Sequence, residues 1–342
     1  MQRFPAVSLL FILLALAAHA QPYSVYVSNE RSGDVSVIDP IARRVVRTFA
    51  VGKRPRGIHV GPVTGRLYVA VSGSPRMAMG ADPARAKLPD ADRAADGIAV
   101  VDPSSGRVLE TLRVGSDPEQ FAIDQNERVL VVTNEDAAKA TAWNLPAGTP
   151  LAEFPVGAEP EGVAFRPGTA EVYVTSEATG EVYVLDLNAR RQVARLKVGG
   201  RPRSVAFTPD GLQAFVAAEG RKSIAVVDAM ARSVAGQIPV KGSNALPMMA
   251  LVSPDGKQVF VSTGRGNTVA VLDPLAGRML GSVATGQRTW GLAQSPDGLL
   301  LYAANGLSDD VSVIDIATLL ELGRIKVGSG PWGIAIATAG RR

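Results

Sequence analysis

The chain has 342 residues, a formal net charge of +4, and 46% hydrophobic against 20% charged residues. That balance belongs to a packed globular protein and excludes a disordered one. The charge is too small and too scattered for a nucleic-acid-binding surface. The absence of cysteine excludes disulfides, a lipid-modified N-terminal cysteine and covalently attached c-type haem.

The first element is a leader. Arg3 precedes an apolar run from Val7 to Ala18, and Ala18-His19-Ala20 supplies a small-x-small site. This pattern predicts a secretory signal peptide over residues 1–20, cleaved before Gln21. The apolar run is short for a bilayer span. The expected product is periplasmic or secreted, with no membrane insertion after cleavage and no nucleic-acid partner.

Beyond Gln21 the chain repeats itself. YVSNERSGDVSVID at residues 26–39 returns as YAANGLSDDVSVID at 302–315. An apolar run closing on Asp or Asn ends at Asp39, Asp102, Asn144, Asp186, Asp228, Asp273 and Asp315, at separations of 63, 42, 42, 42, 45 and 42 residues. A V-G-x-x-P-x-G type turn recurs at Val51, Val114, Val156, Val198, Val240, Thr285 and Val327. A period near 42 residues, rich in β-branched residues and Gly/Pro turns, is the signature of a β-propeller.

Each unit holds four short strands. After Glu159 they read EGVAFRP, AEVYVTSE, GEVYVLDL and RQVARLKVG, and PDG at 209–211, 254–256 and 296–298 fits tight turns. The expected fold class is therefore all-β: a seven-bladed propeller of four-stranded antiparallel blades over residues 21–342. The repeat begins on a second strand and ends on a first strand. The C-terminal strand should thus join the N-terminal blade and close the ring, removing two sheet edges. The spacing of 63 marks an insertion over residues 73–97 within one blade.

Strand direction sorts the loops onto two faces. Turns after the first and third strands are uniform; turns after the second strand and the blade-to-blade links vary. Variable loops on a rigid scaffold are where function concentrates. At the start of each innermost strand stand Arg56, Glu119, Glu161, Arg203, Met248, Trp290 and Trp332. A structural requirement would give one residue type seven times. Glu30, Glu135, Glu177 and Glu219 end second strands nearby, and Arg54, Asp117, Glu159, Arg201 and Arg288 lie in the links. The expected site is a ligand- or partner-binding rim built from the ring residues with Glu135 and Glu177.

Chemistry is sparse. Past the leader there is one histidine, His59, on an inner strand, so neither a zinc or copper site nor a Ser-His-Asp triad is expected. The reading assigns no catalytic residue, no metal and no cofactor. Glu119 and Glu161 stay open as an acid–base or Ca²⁺-holding pair.

The phrases Y-V-S/T-N, VSVID and V-G-x-x-P-x-G resemble the YVTN family of β-propeller repeat proteins across residues 23–338. RPRGI, SDPEQFA, VTNED, EPEGVAF, PRSVAFTPDG, NGLSDDVSVID and PWG are similar to the periplasmic propellers associated with quinoprotein (PQQ-dependent) catabolism. That likeness implies an accessory, non-enzymatic role beside periplasmic alcohol oxidation. Seven blades rather than eight, and only Trp143, Trp290 and Trp332 as tryptophans, speak against a quinoprotein enzyme itself. A lactonase-like hydrolase on a related propeller and a surface or adhesion module remain alternatives.

Overall fold

The computed structural model describes residues 22–76 and 88–338. The expected signal peptide lies outside the described residues, as does part of the insertion. Among the described residues the strands form seven four-stranded sheets, every neighbouring pair antiparallel. Helical structure is limited there to three short 3-10 turns, Arg93–Ala95, Glu135–Ala137 and Glu219–Arg221.

Burial explains the strand sequences. In the fourth blade the second and third strands, Glu171–Ser176 and Glu181–Asp186, are buried on nearly every residue, because neighbouring blades cover both faces. Their Val-rich runs are therefore continuously apolar rather than alternating. The outermost strand of the first blade, Arg44–Ala50, alternates exposed and half-buried residues, since only one face meets protein. Seven apolar clusters fill the spaces between blades. Each fully buried Val or Leu contributes about 1.5–3 kcal/mol relative to exposure.

The ring closes as the phase requires. Pro331–Thr338 pairs antiparallel with Tyr23–Asn29, matching Val25 with Ile336, Tyr26 with Ala335 and Val27 with Ile334. The first blade is completed by Asp34–Asp39 and Arg44–Ala50. The two VSVID copies thus face each other across one inter-blade space, where Val25, Val27 and Ile38 pack on Tyr302, Val311 and Val313. The Tyr23 and Tyr302 hydroxyls share a hydrogen bond of 2.8 Å.

The Asn of the YVSN phrase has a structural task. Buried Asn29 donates to Asp34 at 2.6 Å and Ser36 at 2.9 Å; Asn305 does the same with Asp310 and Ser312, both at 2.9 Å. Each ties the end of a second strand to the start of the third. On the opposite face the PDG turns are alike: Asp210, Asp255 and Asp297 each accept from a hydroxyl two residues earlier and a backbone N–H two residues later. The described end of the insertion folds back: Asp92 meets Lys53 at 2.7 Å, and Arg93 meets Asp136 at 2.5 Å.

Candidate functional site

The site begins in the backbone of the links. Where each link turns into an innermost strand, Arg54, Asp117, Glu159, Arg201 and Arg288 adopt φ values of 44°, 42°, 53°, 50° and 57°. The first blade places Gly330 there, with φ 69°. In the left-handed region a Cβ costs about 1–2 kcal/mol that glycine does not incur. Five charged residues thus occupy a conformation suited to glycine, and four of them, all but Asp117, line a funnel at the mouth of the central channel. The same conformation recurs at Arg43, Arg190 and Arg232 in turns of the opposite face, so it belongs to the repeat's turn geometry.

In these six links the ring residue follows two positions later. Hydroxyls on the second strands fix their backbone: Ser28 donates to the Arg56 carbonyl at 2.5 Å, Thr133 to that of Glu161 at 2.9 Å and Thr175 to that of Arg203 at 3.4 Å. Each bond crosses to the next blade. The inner strands also close on one another below the ring. A Cβ on Gly162 would stand 2.6 Å from the Arg203 carbonyl oxygen, and one on Gly333 2.7 Å from that of Arg56.

The funnel encloses about 290 Å³ and has two unlike walls. One is ionic. Arg56, 3% exposed, reaches Asp117 at 2.6 Å, Glu119 at 3.1 Å and Glu135 at 3.4 Å, and donates to the Pro118 carbonyl at 3.0 Å. Among the described residues its Nε has no partner. Arg203 mirrors it, meeting Glu219 at 2.6 Å, Glu161 at 2.8 Å and Glu177. Arg201 holds Glu177 from outside, and Arg54 meets Glu30 at 3.0 Å.

The other wall is aromatic. The Trp290 and Trp332 rings stack with centroids 5.4 Å apart and planes 25° apart. The guanidinium carbons of Arg288 and Arg203 lie 5.3 and 5.9 Å from the Trp290 centroid. Such cation–π contacts gain strength where water is excluded.

Crowded carboxyls hold protons. Burial, with the charge of Glu119 and a hydrogen bond to it, pushes Glu135 up to about 9. Burial also raises Glu161 well above the carboxylate range, reinforced by Glu119 and a hydrogen bond to Glu177, despite the pull of Arg203. For Glu177 and Asp117 burial is outweighed and the pKa falls: Glu161, Arg203 and Arg201 act on the first, Arg56 and Ser72 on the second. Glu135 is thus neutral at pH 7, and Glu161 is shifted in the same direction, beside carboxyls whose pKa is lowered.

Of the nine residues expected from sequence, Arg56, Glu119, Glu135, Glu177, Arg203, Trp290 and Trp332 line this one funnel. Glu161 does not line it; it is buried, bound to Arg203. Met248 does not line it either. It is buried beside Gly264, because the sixth blade's link is longer and carries its left-handed turn at Asn244. Among funnel-lining residues outside that set are Arg31, Arg76, Leu307 and Gly330. Arg31 binds Asp309 and Ser329 across the closure, a partnership that no local pattern announces.

His59 lies elsewhere. It lines a second cavity, about 650 Å³, at the other end of the channel, edge-on to Phe121 at 4.8 Å. Burial lowers its pKa to about 4 despite a hydrogen bond to the Phe121 backbone, so the ring is neutral. Among the described residues no group of three His, Asp or Glu side chains is arranged to hold a metal ion, and no helix there is long and apolar enough to cross a membrane.

Comparison with known proteins places the fold. Among solved structures, the chain is similar to a functionally unknown protein from Desulfotomaculum acetoxidans DSM 771, with TM-score 0.75 and 16% identity over 93% of this chain and 99% of that one. Kuenenia stuttgartiensis hydrazine synthase gives TM-score 0.68 and 17% identity over 82% and 89%. The dihydro-heme d1 dehydrogenase NirN, in complex with DHE, gives 0.64 and 13% over 91% and 74%. At such identities the likeness shows the fold alone. No curated protein matches the chain. The profile of the YNCE-like beta-propellers matches residues 4–335, nearly the whole chain, and the chain belongs to that family.

Proposed function

We propose that this propeller is a binding protein, without chemistry of its own, which seats a small ligand or a partner's side chains in the two-walled funnel. The observation that carries the reading is the asymmetry of the ring. A repeat that places near-identical residues elsewhere puts arginines and glutamates on one side of the mouth and stacked tryptophans on the other. Buried aromatic and arginine groups at a concave centre are the types that dominate binding energy. Export rests on the sequence of residues 1–20, and an accessory role beside periplasmic quinoprotein alcohol oxidation rests on the phrase-level resemblance.

The test is a thermal-shift screen of small carboxylates, amines, alcohols and peptides. It compares wild type, Trp290→Leu, Arg201→Gln and the opposite-face control Asp210→Ala with Asp297→Ala. Compounds that stabilise wild type and control but neither funnel variant support the funnel. Equal stabilisation of all four proteins contradicts it.

One observation favours a hydrolase as a second reading. Glu135 is a neutral carboxyl lining the funnel, the state a general acid requires. Lactone hydrolysis by wild type that Glu135→Gln abolishes is the result that reading needs.

A further inference from the structure

The cavity at the other end of the channel is built by the same repeat and departs from it at few places. Three residues after the ring position, five inner strands carry alanine: Ala122, Ala164, Ala206, Ala293 and Ala335. The second blade has His59 there, and the sixth has Leu251. One residue after the ring position, glycine stands at Gly57, Gly162, Gly291 and Gly333, whereas the third blade has Gln120 and the sixth has Met249. His59 and Gln120 thus sit on neighbouring blades, and in a ring of seven the sixth blade lies across from them. With Phe165, these four residues line the cavity of about 650 Å³.

Inside its mouth, the other polar side chains of this wall are already committed. Ser204 Oγ accepts from the Ala250 N–H at 2.9 Å, and Asp124 accepts from the N–H groups of Arg128 and Val129 at 2.6 and 2.7 Å. Arg166 donates to Glu171 and to the Gly211 carbonyl, both at 2.9 Å. Gln120 is the exception. Its backbone is bonded to Thr133, but its carboxamide has no hydrogen-bond partner among the described residues. The carboxamide oxygen lies over Gly57, where a Cβ would stand 2.7 Å from it. His59 donates one ring N–H to the Phe121 backbone, which leaves the neutral imidazole one acceptor nitrogen.

We infer that this cavity is a second binding site, separate from the funnel, for a neutral hydroxylated aromatic molecule, with its hydroxyl between Gln120 and His59 and its ring towards Met249, Leu251 and Phe165. One hydroxyl both donates to an imidazole nitrogen and accepts from a carboxamide N–H, so it answers the two uncommitted groups at once. The Met249 thioether and the Phe165 ring favour an aromatic body over an aliphatic one. The neutral class follows from the wall: Asp124 and Arg166 are bonded within the protein, and a ligand charge taken out of water without a partner is costly. The alanines and glycines keep the space open, and about 650 Å³ lies within the range of ligand pockets, enough for two fused rings.

The experiment is equilibrium dialysis of the protein at about pH 7 against three probes: 2-naphthol, 2-naphthoate and naphthalene. 2-Naphthol is expected to bind about tenfold more tightly than either of the others. Gln120→Leu and His59→Phe should each weaken 2-naphthol about tenfold and leave naphthalene unchanged, while the funnel variant Trp290→Leu binds 2-naphthol like wild type. Circular dichroism of each variant checks the fold, and the order of the three probes on wild type needs no variant at all. 2-Naphthoate binding as tightly as 2-naphthol overturns the neutral class. Naphthalene binding as tightly as 2-naphthol, or 2-naphthol binding that neither Gln120→Leu nor His59→Phe weakens, overturns the hydroxyl contact. No retention of 2-naphthol by wild type, or retention lost in Trp290→Leu, overturns the second site. The funnel itself stands or falls on the thermal-shift screen.

Discussion

The guanidinium of Arg203 lies 5.9 Å from the ring centroid of Trp290, and this contact joins the two walls of the funnel. One edge of Arg203 is held by carboxylates from the fourth and fifth blades, while Trp290 is stacked on the tryptophan that starts the closing strand. Ionic network, aromatic pair and ring closure therefore meet within a few ångströms. A change in one is expected to be felt in the others.

Arg203→Ala should be costly. It leaves Glu161, Glu177 and Glu219 without their shared cation in a mostly buried place. Breaking a buried ion pair by removing one partner costs about 3–5 kcal/mol. Chemical denaturation measures it, and adding Glu177→Gln should recover part of the loss. A loss no larger than that of an exposed pair, about 1 kcal/mol or less, would show the network to be solvated.

How much of this was legible in sequence differs by level. The spacing of Asp39, Asp102, Asn144 and their successors carries the blade count, because each blade must bury its faces against identical neighbours. The phase of the repeat carries the closure for the same reason. The shared mouth was readable too, since strand direction alone decides which loops lie together. Burial of the ring was not. The repeat places the ring residues at the starts of strands beside loops, where charges are ordinarily solvated, yet Arg203 is 13% and Trp332 7% exposed. Side chains of neighbouring blades reach over one another at the ring, and such reach is absent from any local pattern. Met248 misled for a related reason: an equivalent place in the repeat does not ensure an equivalent direction when the link is longer.

Stability should depend on pH through Glu135. In the unfolded chain it ionises near the ordinary 4.5, whereas in the native state it keeps its proton up to about 9. An acid with a raised native pKa removes stability as pH climbs between those values. Asp117 acts in the opposite sense: its lowered pKa gives stability present above the ordinary 3.8 and lost as pH falls. Glu135→Gln copies the protonated form. It should melt like wild type at about pH 5 and above wild type at about pH 9. An equal difference at both pH values would mean that the carboxyl is ionised throughout.

The strained links offer a separation of stability from binding. Glu159→Gly relieves a left-handed Cβ, a gain of about 1–2 kcal/mol, against a similar loss from the freer unfolded chain. The melting temperature should be unchanged or slightly higher while funnel binding weakens. A clear fall in melting temperature would show that the Glu159 side chain is structural.

Closure has its own test. Removing Pro331 to Arg342 exposes the edge of Tyr23–Asn29 and takes the buried side chains of Trp332, Ile334 and Ala335 out of the core, uncovering Val25 and Val27. Such a deletion should cost several kcal/mol and leave a sheet edge open to aggregation. A truncated protein that melts like the full chain would contradict the closing role of this strand.

Hydrogen exchange tests the funnel most directly. The protein is compared with and without the most stabilising compound of the screen, and backbone protection is mapped along the chain. The account predicts slowed exchange at the links that enter the innermost strands, over residues 52–57, 199–204, 286–291 and 328–333, with the turns of the opposite face unchanged. Protection confined to residues 124–126 and 167–169, at the other end of the channel, would contradict it.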